Sequence, residues 1–133
     1  MVINLNFIVE WGCEVTMDRI CIEGVQLSCV IGTHEWERKL KQKITLDLVL
    51  EQDLSIAGQS DRLEDSIDYA AVVDAVTGLA VESKYKLIEA LAEAIATLIL
   101  EEFPVTAVGV TVNKGAAVPA TRNISVAIRR SSN

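Results

Sequence analysis

The sequence predicts an α+β fold: a four-stranded antiparallel sheet with two helices packed on one face, in the order β-β-α-α-β-β. Three observations carry this. Four stretches alternate apolar and polar residues at the two-residue period of half-covered strands. Two stretches between them repeat apolar residues at the 3.6-residue period of helices. Each strand pair is also adjacent in sequence, which favours antiparallel hairpins and leaves the consecutive helices to cover a shared face.

Residues 1–16, MVINLNFIVEWGCEVT, read as an N-terminal extension, loose or added as an edge segment, with Met17 opening a domain over 17–133. The extension lacks a basic leader, carries Asn4 and Asn6 in its apolar run, and is too short to span a bilayer. A first strand follows between Arg19 and Ile31, carried by Ile20, Ile22, Val25, Leu27 and Cys29, with Gly24 expected as a bulge or kink. Residues 32–43, GTHEWERKLKQK, read as a charged loop around Trp36. In the second strand Ile44, Leu46, Leu48 and Leu50 alternate with Thr45, Asp47, Val49 and Glu51, so one face is greasy.

Residues 55–67 form a short polar link in this reading. A helix over about Asp68–Glu82 presents Tyr69, Val72, Val73, Val76, Leu79 and Ala80 on its apolar side, with Ser66 or Asp68 as cap. The second helix, about Ile88–Glu102, follows from the stripe of Leu87, Ile88, Leu91, Ala92, Ile95, Leu98 and Ile99, and stops before Pro104. Val108, Val110 and Val112 make the third strand; Ile124, Val126 and Ile128 make the fourth. Between them lies the loop KGAAVPATRN, residues 114–123. The open edges of such a sheet invite pairing between subunits around a ring.

The chain has 133 residues, half of them hydrophobic, enough for one core. A formal net charge of −7 argues against nucleic-acid and anionic-membrane partners. The basic run Arg38, Lys39, Lys41, Lys43 is the exception, and it reads as a solvated loop edge. Cys13, Cys21 and Cys29 are an odd set without a Cys-x-x-Cys pair, which points to reduced thiols in the cytoplasm. The single histidine, His34, excludes a multi-histidine zinc centre, and neither metal nor cofactor is expected.

Four polar residues stand where apolar elements meet loops: Glu37, Tyr69, Glu89 and Lys114. Glu89 falls in a first helical turn, among unpaired N–H groups at the positive end of the helix, where ionisation is favoured. A carboxylate there, flanked by apolar residues, suits a flat heterocycle offering donors and acceptors. On local grounds alone the better reading is a first-turn acid facing water. Glu37 and Lys114 likewise read as surface charges, and Tyr69 as a core ring with a wet hydroxyl.

The chain resembles the dihydroneopterin aldolase family of the tunnelling fold over nearly all of residues 17–133. The resemblance rests on ordered blocks: IEG at 22–24, IGTHEWERKLKQ at 31–42, LDLVLEQDL at 46–54, SDRLEDSIDYAAVV at 60–73, KLIEALAEAIATLIL at 86–100 and VNKGAAVPATRNISVAIRR at 112–130. It implies catalytic roles for Lys114, Tyr69 and Glu37, and a pterin anchor at Glu89 with the Ile88 backbone as a further contact. It also implies retro-aldol cleavage of 7,8-dihydroneopterin in folate biosynthesis, with accompanying 2′-epimerisation. The site would lie between subunits of an octamer of two stacked tetramers. Two departures stand out: Lys114 is followed by Gly115, Ala116 and Ala117 instead of Pro-Gly, and His34 stands where relatives often carry tyrosine. The alternatives weighed are a dihydroneopterin triphosphate 2′-epimerase, with Arg38, Lys39 and Lys41 as phosphate donors, and a pterin-binding protein without chemistry.

Overall fold

Ile44, Leu46, Leu48 and Leu50 alternate along one strand, and all four are buried. In the computed structural model, which describes residues 17–132, this strand lies inside a single sheet. The extension read at residues 1–16 lies outside the described residues. Strands β1 (Arg19–Cys29), β2 (Gln42–Glu51), β3 (Ala107–Asn113) and β4 (Ser125–Ser131) are joined in the order β1-β2-β3-β4, every pair antiparallel.

β1 keeps its apolar residues on one face only because its register shifts between Ile22 and Val25. Gly24 makes the bulge at φ +73°, and its N–H donates to Asp47 Oδ1 at 2.8 Å. One extra residue changes the parity of the strand, so Ile20, Ile22, Val25 and Leu27 all pair beside the buried leucine side of β2.

Three helices follow β2: α1 (Ser55–Ser60), α2 (Tyr69–Glu82) and α3 (Ile88–Glu102). α1 replaces the irregular link expected at 55–67. It has six residues and buries none of them, so it left no periodic signal. Asp61, at φ +58°, ends it by donating its N–H to the Ala57 carbonyl. The charged loop likewise contains a 3-10 turn, Glu35–Lys39. Asp68 caps α2, its carboxylate accepting the Ala71 N–H at 3.1 Å.

Helix α2 packs on β1, and α3 packs on β3 and β4. The first buries Val72, Val76 and Ala80; the second buries Leu91, Ala92, Ile95, Ala96 and Ile99. Two residues assigned to the apolar stripes depart from them: Tyr69 is 58% exposed, and Leu87, at the cap position of α3, is also exposed. Both sit at helix starts, where the packed stripe has not begun. The other sheet face is more polar, and Glu51 on it is held by both Nε and Nη2 of Arg129, at 2.8 and 2.9 Å.

Ile95→Ala should cost about 2–5 kcal/mol in urea unfolding, because the site is enclosed and collapses poorly. Val118→Ala, in the exposed loop, should stay within about 0.5 kcal/mol.

Candidate active site

Lys114 directly follows β3, and the base of its loop is tied shut. The Lys114 N–H donates to Ile124 O at 2.9 Å, and Ile124 N–H returns to Gly115 O at 2.8 Å. Asn123 spans the same turn, accepting from Gly115 N–H and donating to Asn113 Oδ1, each at 3.0 Å. This backbone frame fixes where the lysine stem leaves the sheet. Its Nζ lies 2.9 Å from Glu37 Oε2, with the two side chains only 16% and 6% exposed.

Glu37 reaches that amine from the 3-10 turn Glu35–Lys39. Gln42 Nε2, at the start of β2, donates to the same carboxylate oxygen at 3.1 Å and to Ile31 O at 2.7 Å. The other oxygen, Oε1, accepts the His34 N–H at 3.1 Å. The hydrogen bond from Lys114 is the main reason the Glu37 pKa falls from 4.5 to about 2; burial opposes the shift, and Gln42 and His34 add to it.

Gly32 closes the other side of this carboxylate. Its φ is +123°, and a Cβ at this position would stand 2.2–2.4 Å from the carboxyl atoms of Glu37. No other residue type leaves room for the carboxylate where it is.

Across a cleft of about 250 Å³ stands the start of α3. Gly32, Ile88, Glu89, Lys114 and Val126 all line this cleft. Leu87 offers no side-chain cap and its carbonyl takes the Ala90 N–H, so the N–H groups of Ile88 and Glu89 stay open at the start of the helix. The cleft therefore offers an amine–carboxylate pair on the sheet side, an acid with backbone donors on the helix side, and apolar surface between.

Residues 20–129 match the family described as dihydroneopterin aldolase. The chain belongs to the dihydroneopterin aldolase family. The Escherichia coli dihydroneopterin aldolase is 31% identical over 117 residues, covering 88% of this chain and 96% of that relative. The Bacillus subtilis dihydroneopterin aldolase is 39% identical over 87 residues, covering 65% and 72%. A solved structure of the Escherichia coli dihydroneopterin aldolase in complex with neopterin superimposes with a TM-score of 0.83 at 30% identity, covering 86% of this chain and all of that one. The architecture is the tunnelling fold expected of the family.

Of the five residues singled out in the sequence, the chain brings four together: Glu37, Ile88, Glu89 and Lys114. Tyr69 does not line the cleft. It begins α2, at the opposite end of that 14-residue helix from the connector leading to Glu89. Such a helix is about 20 Å long.

Three contributors were missed: Gly32, Gln42 and Arg38. Arg38, read as a solvated charge or a phosphate donor, instead donates to backbone carbonyls of Gly32, Lys84 and Tyr85. Among the described residues, no group of three or more His, Cys, Asp or Glu side chains is placed to hold a metal ion. No described helix is long and apolar enough to cross a membrane.

Gly32→Ala should push the Glu37 carboxylate off Lys114, visible as a rise of the Glu37 pKa from about 2 when its side chain is titrated by NMR. A second outcome follows from linkage. The folded pKa of Glu37 lies below the unfolded one, so its ionised form stabilises the fold fully above about pH 4.5, and this is lost as pH falls toward about 2. In acid-unfolding curves, Glu37→Gln should therefore lose less stability than the parent chain across that interval.

Proposed function

We propose that this chain is a lyase that cleaves 7,8-dihydroneopterin by a retro-aldol reaction, yielding 6-hydroxymethyl-7,8-dihydropterin and glycolaldehyde in folate biosynthesis. The observation that carries the reading is that Lys114, with its acid partner, and Glu89 face one cleft. That spacing suits a flat ring held at one end and a hydroxylated tail worked on at the other. A related chain from Escherichia coli is solved with neopterin bound, which supports a pterin ligand here.

In this reading Glu89 accepts hydrogen bonds from the pterin 2-amino and ring N–H groups, and the Ile88 backbone adds a contact. Two charge-assisted bonds orient the ring in otherwise apolar surroundings. At the tail, a base removes the 2′-hydroxyl proton, and the bond between the 1′ and 2′ carbons breaks. Its electrons enter the ring C=N bond next to the side chain, glycolaldehyde leaves, and the 1′ carbon is then protonated. The substrate's own C=N serves as electron sink, so Lys114 needs no Schiff base and acts in hydrogen bonding and proton transfer. Glu37 holds Lys114 in place. Tyr69 relays a proton to the carbanion. If glycolaldehyde rejoins by its other face before release, the same groups epimerise the 2′ carbon.

Tyr69 can take that role only from a neighbouring copy. A cleft of about 250 Å³ is also small beside the roughly 300–1,000 Å³ of typical ligand sites. Both points favour a site completed between subunits. The octamer of two stacked tetramers and the cytoplasmic location rest instead on the family resemblance and on the odd cysteine set. The carbonyl contacts of Arg38 weaken it as a phosphate donor in the triphosphate epimerase reading, since three of its N–H groups are already given to backbone, which leaves Lys39 and Lys41 for that role.

Incubating the purified protein with 7,8-dihydroneopterin and separating the products should give equal amounts of hydroxymethyl-dihydropterin and glycolaldehyde. Epimer without any glycolaldehyde would overturn the lyase reading. Lys114→Ala should lower kcat by about 10²–10⁴ with pterin affinity changed only a few-fold. Glu89→Ala should weaken binding of the pterin product by about tenfold or more, read by fluorescence titration. Tyr69→Phe should retain that affinity while turnover slows or shifts toward epimer.

A further inference from the structure

The guanidinium of Arg38 joins two chain segments that are distant in sequence and face each other across the cleft. Nη1 donates to Gly32 O at 2.9 Å and to Tyr85 O at 3.1 Å, and Nη2 donates to Lys84 O. Gly32 is cleft wall on the sheet side and backs the Glu37 carboxylate. Lys84 and Tyr85 lie in the connector between α2 and α3, directly before the cleft-lining residues Lys86, Leu87, Ile88 and Glu89. That connector has no side-chain cap at the start of α3 to hold it.

We infer that Arg38 is a positioning residue for the reaction, a staple that sets the distance between the Glu89 side and the Lys114 side of the cleft. A planar fork spreads its donors over separate nitrogens at fixed spacing and so spans carbonyls from two segments, whereas an ammonium gathers its three donors at one point. Removing the fork affects the two walls unequally. Glu37 keeps Lys114, Gln42 and the His34 N–H, so the amine wall stays ordered. The connector loses its tie to that wall, and the helix start carrying Glu89 is released. The inference rests on the cleft being the pterin site, and it places the cost in binding, not in the chemical step.

The test is Arg38→Met, which keeps the stem and removes the donors. KM for 7,8-dihydroneopterin and Kd for the pterin product should both rise about tenfold, while kcat changes less than about threefold. Added guanidinium ion at millimolar concentration should recover part of the lost affinity. Amide exchange at Ala90 and Leu91, both bonded to the Leu87 carbonyl, should speed up. Should Arg38→Met fail to fold, Arg38→Lys carries the same expectation with a smaller rise in KM. A parent chain that neither binds the pterin nor turns over substrate removes the site assignment itself. A parent chain that binds, beside an Arg38→Met protein with unchanged KM and Kd, overturns the staple alone. A fall in kcat at unchanged KM overturns it too, because that would place Arg38 at the reacting atoms.

Discussion

The contact between Lys114 and Glu37 is the constraint on which the site depends. An ion pair taken mostly out of water contributes little net stability, since desolvation offsets the attraction. What it does is fix geometry, provided every remaining lone pair finds a donor. Here the carboxylate also receives Gln42 and the His34 N–H. The partners come from a 3-10 turn, the start of β2 and the end of β3, and sheet register unites them. Because Thr45 pairs with Asn113, the residue after β3 emerges beside the start of β2. Sheet pairing thus sets amine position long before any ligand arrives.

The two sides of the cleft differ in character. The sheet side is tied by hydrogen bonds at nearly every polar atom, and Gly32 fits against it without room for a methyl group. The helix side is an uncapped α3 terminus with an exposed carboxylate and open N–H groups. The sheet side thus holds its charges in a preorganised geometry, while the helix side leaves backbone donors free for an incoming acceptor. Arg38 is the side chain that joins these two unlike surfaces.

Much of the fold was legible because its signals are periodic. The β2 leucines, the α3 stripe and the Pro104 stop each follow from local chemistry, and α3 runs over the residues assigned to it. The helix α1 was not legible, since its six residues bury nothing and its one large apolar side chain, Ile56, is exposed, which leaves no periodic pattern. At the candidate site, Lys114, Glu37 and Glu89 stood out locally only as polar residues where apolar elements meet loops, and it was the family resemblance that singled them out. Gly32, Gln42 and Arg38 were not, because their work is to hold backbone or another side chain. The one available signal was the glycine opening the charged loop, and it acquires meaning only once Glu37 folds against it. Tyr69 shows the opposite limit: residue type and position in the sequence block mark it, yet within one chain it lies away from the cleft.

The bulge at Gly24 carries a consequence for how this protein can change over time. It inverts the in-out order of every later residue in β1, so Leu27 and Cys29 are buried only because one residue was inserted before them. Replacing a side chain in this strand disturbs a single contact. Deleting one residue near the kink would turn the rest of the strand inside out, exposing its oily half and burying its polar half. The first strand is therefore far more permissive of spelling changes than of changes in length.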